Sequence, residues 1–417
     1  MSASTRPGGV VFKRDAFLGT RGFSSPYFDR VRAPAETVAL MRPRMMEFGV
    51  TRLARVTGLD RVGIPVWSAI RPNSRRLSVS QGKGVDDAAA AASALMEAIE
   101  VATAERLDLP RLTASAQEMA AAGRNVGLFE GLLRAGANAP DPAEVVDWVE
   151  GHDLIADAAV WLPLDVVALF DNRQRSRYWQ STDGLASGNI LWEAVFHGLC
   201  ERVERDALAL WALRDDAGIA ERCCDPLIYG DAEIAKLAVK IADAGLQLRL
   251  FDIASDAAIP VFFATISPPP SGHESQWSHF DLSSGSGCHP RQARAAIRAI
   301  TEAAQTRLTT ISAARDDFDP RKYATRLKAD LLPYVYCSPK RDKPSEEEAD
   351  IDRNAYLAFM IARLKAIGVT SVVVVPLEVG DPAYAVAKVL VPDLETVPGD
   401  RRFVHGARAL RAMFSPR

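Results

Sequence analysis

Carboxylate side chains recur at matched positions behind two loops that contain glycine. Glu97 and Glu100 follow a loop glycine, and Glu201 and Glu204 follow a second loop glycine at the same two intervals. Carboxylates one helical turn apart repel one another, so two acidic stripes that face each other require cations between them. Carboxylate oxygens are preferred ligands of Mg2+, and the pattern therefore favours a magnesium site.

Each acidic pair lies on a predicted helix that positions it. The first helix is contained in GKGVDDAAAAASALMEAIE, residues 82–100, and its loop glycine is Gly84. At about 100° per residue, Ser93 lies on the same narrow stripe as the two carboxylates. The second helix is contained in SGNILWEAVFHGLCERVERDA, residues 187–207, with Gly188 as the loop glycine. Its polar stripe includes Asn189 and Glu193 and lies opposite an apolar stripe, which indicates one buried face.

A third helix, RQARAAIRAITEAAQTRL at residues 291–308, carries a related pattern. Glu302 and Gln305 follow Gly287, but each interval is two positions longer than in the other helices, so the match is weaker. Arginines lie on or just beyond this helix, at Arg294, Arg298, Arg307 and Arg315. Carboxylates that hold metal ions, together with arginines and helix N-termini, suit a polyphosphate bound with Mg2+.

The helices follow predicted β-hairpins. Residues 51–72 and 248–266 each contain an apolar run, an Asp-containing turn and a second run that begins Ile-Pro-Val. Each hairpin leads into a glycine-containing loop and then a helix, and residues 369–392 form a further hairpin without such a helix. The pattern predicts one mixed α/β (α+β) domain built from hairpin-plus-helix units, with mostly antiparallel sheets.

The domain prediction has three parts. Residues 1–49 form an N-terminal arm and a packing helix that is kinked near Pro43, residues 50–400 form the main domain, and residues 401–417 form a C-terminal tail. Residues 107–160 are interpreted as an insertion between units. Residues 340–353, KRDKPSEEEADIDR, are predicted as a charged surface loop or a disordered segment, followed by an amphipathic helix.

Composition excludes several classes of protein. The chain has 417 residues, of which 48% are hydrophobic and 25% charged, as expected for a globular protein. Lys and Arg number 50 against 53 Asp and Glu, which does not indicate binding to nucleic acid or to an anionic membrane. There is no apolar h-region and no apolar run of roughly 20 residues, and a cytoplasmic location is expected.

Other catalytic motifs are absent from the sequence. It contains no GxxxxGK[ST], no GxGxxG after a strand, no GxSxG and no HExxH. The five cysteines form no CxxC pair, which argues against a zinc ribbon or a disulfide framework. Cys200 is expected to be a packed thiol, and Cys223 and Cys224 an ordinary pair in a surface loop. His197 and His289 lie near the acidic helices and are expected to be structural.

Residues from about 50 to 395 resemble the YcaO domain. The matching segments are, in order, TGLDRVGIPVWSAIRPNS, SVSQGKG, SALMEAIE, GLASGN, CERVERDA, TEAAQTRL and AARDD. The resemblance is closest to the TfuA-associated branch, which shares the run from TGLD to QGKG and the element VPDLE at 391–395.

The resemblance implies a YcaO-type fold and an ATP- and Mg2+-dependent enzyme that activates a peptide backbone amide. In this mechanism a nucleophile attacks the amide, ATP phosphorylates the amide oxygen, and loss of phosphate leaves a thioamide, a thiazoline or a related amidine. The nucleotide-binding residues carried over from the family are Ser93, Glu97, Glu100, Asn189, Glu193, Glu201, Glu204, Arg205 and Gln305. The expected Mg2+ ligands are Glu97, Glu100, Glu201 and Glu204. No general base is identified.

Two departures from the family pattern bear on the product. The usual SNGLASGN reads STDGLASGN here, with Asp183 in place of Asn, and the role of this loop is left open. The C-terminus ALRAMFSPR lacks the proline-rich tail of many azoline-forming members, which favours thioamide formation from sulfide. An azoline-forming cyclodehydratase and a non-catalytic nucleotide-binding accessory protein are the alternatives. The expected partners are a peptide or protein substrate and a TfuA-like protein, with a homodimer expected by analogy.

Overall fold

The molecule is built on hairpins that lead into long helices. The computed structural model describes residues 29–107, 109–169, 176–274, 277–317, 319–340, 352, 355–397 and 405–414. Its strands are β1 Arg52–Arg55, β2 Val66–Ile70, β3 Val79–Lys83, β4 Arg111–Ser115, β5 Val145–Asp153, β6 Ala158–Pro163, β7 Leu185–Gly188, β8 Cys223–Cys224, β9 Gln247–Asp252, β10 Val261–Ser267, β11 Ser283–Cys288, β12 Val373–Glu378 and β13 Ala385–Leu390. Its α-helices are α1 Pro34–Met41, α2 Asp87–Arg106, α3 Ala116–Ala121, α4 Leu164–Val167, α5 Leu191–Trp211, α6 Asp216–Glu221, α7 Ala232–Asp243, α8 Gln292–Ser312, α9 Pro333–Tyr336, α10 Tyr356–Ala366 and α11 Ala407–Phe414.

The strands form three sheets. The first has the order β1-β2-β3, the second β11-β10-β9-β8, and the third β4-β5-β12-β13-β7 with β6 paired to β5. Neighbouring strands run antiparallel in all three sheets. The predicted mixed α+β class with antiparallel sheets is therefore confirmed.

Each sheet ends in an edge strand that leads directly into one long helix. These strands are β3, β7 and β11, and the helices that follow them are α2, α5 and α8. Helix α2 begins where the side chain of Asp86 accepts a hydrogen bond from the backbone N–H of Ala89, which satisfies one donor of the first turn. The alanine-rich sequence of α2 allows the helix to pack closely on β3.

Glycines in the edge strands permit this close packing. A Cβ atom at Gly82 would lie 2.0 Å from the backbone nitrogen of Ala94 and 2.3 Å from the carbonyl oxygen of Ala90. A Cβ at Gly287 would likewise lie 2.6 Å from the nitrogen of Ala299 and 2.4 Å from the oxygen of Ala295. In both units the two helix contacts occur at the same sequence separations from the glycine, so β3-α2 and β11-α8 are packed in the same register.

The structure corrects the interpretation that the spacing on the third helix, α8, matches the other helices less well. The interval from Gly82 to Glu97 equals the interval from Gly287 to Glu302. Gln305 therefore occupies the position of Glu100 when both are counted from the strand glycine. The apparent mismatch arose because Gly84, which lies in the loop, was compared with Gly287, which lies in the strand.

The structure also describes parts of the predicted N-terminal, inserted and C-terminal segments. The N-terminal packing helix, expected to be kinked near Pro43, is α1 followed by a 3-10 helix at Arg42–Phe48, because Pro43 cannot donate the backbone hydrogen bond that would continue an α-helix. Residues 107–160 supply β4, β5 and the start of β6 to the third sheet. Residues 405–414 include helix α11. The arm up to residue 28, and residues 340–353 apart from Lys340 and Asp352, lie outside the described residues.

The cysteines are all buried and none forms a disulfide. Cys200 is a packed thiol as predicted. The surface-loop prediction for Cys223 and Cys224 is wrong, because both side chains are buried in β8, where they pair with β9. No helix among the described residues is long and apolar enough to span a bilayer.

Candidate functional site

The three long helices are arranged in a ring in which each one contacts the edge strand of another unit. Helix α2 lies against β7, α5 against β11, and α8 against β3. Three hydrogen bonds mark these contacts: Ser187 Oγ to Glu100 Oε2 at 3.0 Å, Ser286 Oγ to Glu204 Oε1 at 2.7 Å, and Gln305 Nε2 to the carbonyl oxygen of Gln81 at 3.1 Å. Glu100, Glu204 and Gln305 thus occupy corresponding helix positions, and each is hydrogen-bonded to the edge strand of another unit.

The ring brings carboxylates from all three helices together. The pKa of Glu97 is raised to about 7, chiefly by burial and also by the charges of Glu201 and Glu302, against the opposing effect of Lys83 and Arg315. Helices α2, α5 and α8 each contribute one of these three carboxylates. The sequence prediction that acidic stripes from separate segments face one another therefore agrees with the geometry.

The second carboxylate on each of α2 and α5 belongs to the same cluster. Burial raises the pKa of Glu100 well above its ordinary value, and Glu97 and Glu201 raise it further. Burial also raises the pKa of Glu204, with Glu302 as the next contribution. At Glu100 and Glu204, the nearby cations of the protein therefore do not offset burial and the repulsion between carboxylates.

Lys83 is the ammonium group that lies among these carboxylates. It forms a hydrogen-bonded ion pair with Glu302. Burial by itself would raise the pKa of Glu302, but the charge and hydrogen bond of Lys83 outweigh that effect, and the pKa is lowered. The side chains of Lys83 and Glu302 are 24% and 26% exposed, and that of Glu201 is 22% exposed, so a ligand between the helices can reach them.

Arg205 adds a second cation and is held by the loop that departs from the family pattern. Its guanidinium lies 3.2 Å from Glu201 and 3.4 Å from Asp183. The ammonium of Lys388 fixes this loop by donating hydrogen bonds to the carbonyl oxygens of Ser181 at 2.6 Å and Asp183 at 2.8 Å. Asp183, whose role the sequence left open, therefore orients Arg205.

Glu193 and Asn189 make contacts at the start of α5. The side chain of Glu193 is completely buried and accepts hydrogen bonds from the backbone nitrogen of Val31 at 2.5 Å and from the nitrogens of Asn189 at 2.8 and 2.9 Å. Arg30 also lies 3.3 Å from this carboxylate. Both oxygens of Glu193 are thus engaged in holding residues 30–31, and its nucleotide-binding role stays a prediction.

Ser93 and Gln305 are the two remaining residues of the predicted nucleotide-binding set. Ser93 is half-buried on α2, one turn before Glu97. Gln305 is half-buried and hydrogen-bonded to β3. The structure therefore brings Glu97, Glu100, Glu201, Glu204, Arg205 and Gln305 to the ring, with Ser93 beside them. Their assignment as ligands of nucleotide or metal stays a prediction.

Neither nearby histidine has a lone pair available to act as a base. His197 Nδ1 accepts a hydrogen bond from Arg298 at 2.7 Å, and burial lowers its pKa well below the ordinary value. This pairing leaves the other ring nitrogen of neutral His197 as a donor. His289 accepts from the backbone nitrogen of Arg291 at 2.9 Å and donates to Asp29 at 2.8 Å.

The carboxylates lie near one another without meeting at one point. Within the part of the chain that the structure describes, no three His, Cys, Asp or Glu side chains are grouped closely enough to hold a metal ion. Their charges nevertheless act on one another, as the raised pKa values of Glu97 and Glu100 show. Cations located between the helices would relieve this repulsion, and oxygen ligands from two helices suit Mg2+, which retains several water ligands.

Sequence reasoning missed Lys83 and Arg30. The signal for Lys83 was the segment GKG, which is too short to be informative by itself, although Lys83 directly follows the strand glycine Gly82. Arg30 lies in the arginine- and proline-rich arm, and its pairing with Glu193 spans 163 residues of sequence. No local periodicity predicts such a contact.

Comparison with known proteins identifies the family. A family model described as YcaO cyclodehydratase, ATP- and Mg2+-binding, matches residues 81–395. The chain belongs to the YcaO family. A relative from Rhizobium leguminosarum bv. trifolii, named as an uncharacterized protein in the tfuA 3' region, is 39% identical over 401 residues, which cover 93% of this chain and 94% of the relative. This YcaO chain therefore groups with the TfuA-associated branch.

One further relative and two solved structures are also similar to this chain. An uncharacterized protein of Methanothermobacter thermautotrophicus is 32% identical over 386 residues, covering 88% of this chain and 95% of that protein. A YcaO structure from Methanopyrus kandleri, solved with AMPPCP and Mg2+, has a TM-score of 0.64 at 23% identity and covers 88% of this chain and 92% of its own. A heterocyclase solved with substrate and cofactor has a TM-score of 0.69 at 20% identity, and this chain spans only 53% of its length. These structural likenesses establish the fold.

ATP and Mg2+ are the cofactors of this YcaO chain, as the description of the matching family model states. The site fits them, because several carboxylates with raised pKa values lie near one another and beside Lys83 and Arg205. Carboxylates provide oxygen ligands for Mg2+, and the two cations can contact phosphate oxygens.

The raised pKa of Glu97 predicts a pH dependence of nucleotide binding. A Mg2+ ligand must be ionised, and a pKa of about 7 means that protons compete for Glu97 below neutral pH. Affinity for Mg2+ with a non-hydrolysable ATP analogue should fall by up to about tenfold per pH unit between pH 7 and 6. Calorimetry across this range, with Glu97→Gln as the reference, separates the effect from titration of the nucleotide. Parallel pH profiles for the two proteins would count against a role of Glu97.

Proposed function

We propose that this YcaO protein converts a peptide backbone amide into a thioamide, using ATP, Mg2+ and sulfide. The observation that carries the proposal is the ring of carboxylates from α2, α5 and α8, crossed by Lys83 and Arg205, in a chain whose relative is encoded beside tfuA. The ring provides the charge pattern for a magnesium triphosphate, and the tfuA neighbour favours sulfur as the incoming atom.

The chemistry requires activation of the amide oxygen, which is a poor leaving group. When bound, ATP supplies the phosphoryl group that converts this oxygen into a phosphate ester. The carboxylates Glu97, Glu100, Glu201 and Glu204 would hold Mg2+, while Lys83 and Arg205 would contact phosphate oxygens. Fixed charges of this kind stabilise a transferring phosphoryl group without reorganisation.

No covalent nucleophile of the protein is needed for this reaction. Its cysteines are buried, and Nδ1 of His197 and both ring nitrogens of His289 are already hydrogen-bonded as described above. Sulfide is itself the nucleophile and requires no general base at neutral pH. A TfuA-type partner would deliver the sulfur, and a peptide or protein would provide the amide.

The test is mass spectrometry of a peptide encoded beside this gene, reacted with the protein, its TfuA-type partner, ATP, Mg2+ and sulfide. We expect a mass gain equal to the exchange of one oxygen for one sulfur, dependent on every component. Loss of the mass of one water, with no requirement for sulfide, would contradict thioamide formation. Lys83→Met is the matched variant, because it removes one cation of the ring, and it should abolish either product.

Azoline formation is the second candidate, and the description of the family model as a cyclodehydratase favours it. In that reaction a Cys, Ser or Thr side chain of the substrate replaces sulfide as the nucleophile. The same mass measurement distinguishes the two. Nucleotide binding without any change in peptide mass, with all components present, would instead favour an accessory role.

A further inference from the structure

A cavity of about 490 Å3 adjoins the site through the loop that contains Asp183. Its volume lies in the range of small-molecule pockets. Arg202 of α5 lines the cavity, and at about 100° per residue its side chain projects from a different face of the helix than Glu201. Asp183 is shared, because it lines the cavity and also pairs with Arg205. The cavity is therefore separate from the carboxylate ring but connected to it by one loop.

Two buried cations face this cavity with unused hydrogen-bond donors. Arg202 is 3% exposed, and its Nη2 donates to the carbonyl oxygens of Leu394 and Glu395 at 3.3 and 3.1 Å. Its Nη1 lies 3.7 Å from Asp183, beyond hydrogen-bond distance, so that Nη1 and Nε have no acceptor among the described residues.

Lys388 provides the second buried cation in the lining. It is 3% exposed, and burial lowers its pKa to about 8. Two of the three ammonium protons bond to the carbonyl oxygens of Ser181 and Asp183, and the third has no acceptor in the described part of the chain. Arg202 and Lys388 together thus present donors to a common space.

Three of the four acidic groups in the lining are already engaged, and the fourth, Glu130, is exposed. Asp393 accepts hydrogen bonds from the backbone nitrogen and hydroxyl of Thr370 at 2.7 and 2.8 Å. Glu395 accepts from the backbone nitrogens of Gly406 and Ala409, each at 2.9 Å. These carboxylates are committed to backbone donors, and Asp183 is shared with Arg205. An incoming anion would therefore meet two under-used cations.

The rest of the wall is part polar and part apolar, and its polar part includes three further arginines. Leu132, Val166, Trp179 and Leu390 line the cavity beside the two cations. Apolar walls favour a ligand with a hydrocarbon body, because burial of such a body is worth about 25 cal/mol per Å2. A simple inorganic anion would leave this surface unfilled.

We infer that the cavity binds an organic carboxylate with an aromatic or aliphatic body, the carboxylate contacting Arg202 and Lys388. Such a group occurs in free small acids and at the C-terminus of a peptide that ends in an apolar residue. The inference does not depend on the proposed function. A ligand bound in the cavity would affect the carboxylate ring through Asp183, because Asp183 orients Arg205.

The experiment is calorimetry with 3-phenylpropanoate and its uncharged analogue 3-phenylpropanamide on the full chain. Saturable binding of the acid at one site is expected. The amide should bind with roughly ten- to hundredfold lower affinity, because this is the contribution of hydrogen bonds to a charged group. N-acetyl-Gly-Phe with a free carboxylate is the second arm. Tighter binding than 3-phenylpropanoate identifies a peptide C-terminus as the source, and weaker binding identifies a free acid.

Three variants test whether 3-phenylpropanoate binds in this cavity. Leu390→Trp fills the cavity and should abolish binding of 3-phenylpropanoate, whereas Leu410→Trp, on the exposed face of α11 and outside the lining, should leave it unchanged. Arg202→Met should weaken it by roughly ten- to hundredfold. Binding of AMPPCP with Mg2+ to Leu390→Trp verifies its fold. No saturable binding by the unaltered protein, equal affinity for acid and amide, or full binding by Leu390→Trp would overturn the inference.

Discussion

Replacement of Glu97 by Gln is expected to weaken binding of a non-hydrolysable ATP analogue with Mg2+ by about a hundredfold or more. The substitution keeps the side-chain volume but removes a charge from the position where α2 faces Glu201 and Glu302. The same change should raise the melting temperature of the nucleotide-free protein, because it relieves repulsion between like charges. Calorimetry and thermal unfolding measure the two effects on one sample.

The control is Glu150→Gln. Glu150 is an exposed residue of β5 whose replacement removes the same charge without touching the ring. It should leave both the nucleotide affinity and the melting temperature unchanged. If Glu97→Gln bound nucleotide as tightly as Glu150→Gln, the acidic stripe on α2 would be an ordinary solvated face.

Gly82→Ala is expected to lower the free energy of unfolding by about 3 kcal/mol or more, the upper range for overpacking in a rigid site. The new methyl group would lie 2.0 Å from the backbone nitrogen of Ala94, and helix backbone cannot yield as a flexible side chain can. Relief requires α2 to move away from β3. Because α2 carries Glu97 and Glu100, nucleotide binding should be lost even where the protein remains folded.

Gly58→Ala is the matched control, because a Cβ at Gly58 meets no atom within 4 Å and the glycine does not have a positive φ. Its unfolding free energy, measured by urea denaturation, should differ little from that of the parent or rise slightly through loss of unfolded-state entropy. Equal stability of the two variants would contradict the close packing of α2 on its strand.

The acidic pairs could be predicted because their signal is local. A helix places Glu97 and Glu100 on one stripe whatever the rest of the chain does, and the repeated spacing to Glu201 and Glu204 indicates that the same unit occurs twice. The hairpins before α2 and α8 were predictable for the same reason. Apolar runs on either side of an Asp-containing turn can be recognised from neighbouring residues alone.

The contacts between units could not be predicted from spacing. The ion pair of Lys83 with Glu302 joins β3 to α8 across 219 residues, and the bonds from residues 30–31 to Glu193 join the arm to α5. Sequence periodicity identifies the face of a helix but not the group that lies opposite it. For this reason Glu193 looks equivalent to its acidic neighbours in the sequence, although in the structure its oxygens are hydrogen-bonded to the arm.

The most direct test of the account is a crystal structure of the protein with AMPPCP and Mn2+ in place of Mg2+. We expect anomalous density for the metal between α2 and α5, with Glu97, Glu100, Glu201 and Glu204 among its ligands and the phosphates towards Lys83 and Arg205. Metal and phosphates bound elsewhere, with these four carboxylates unligated, would contradict the central claim.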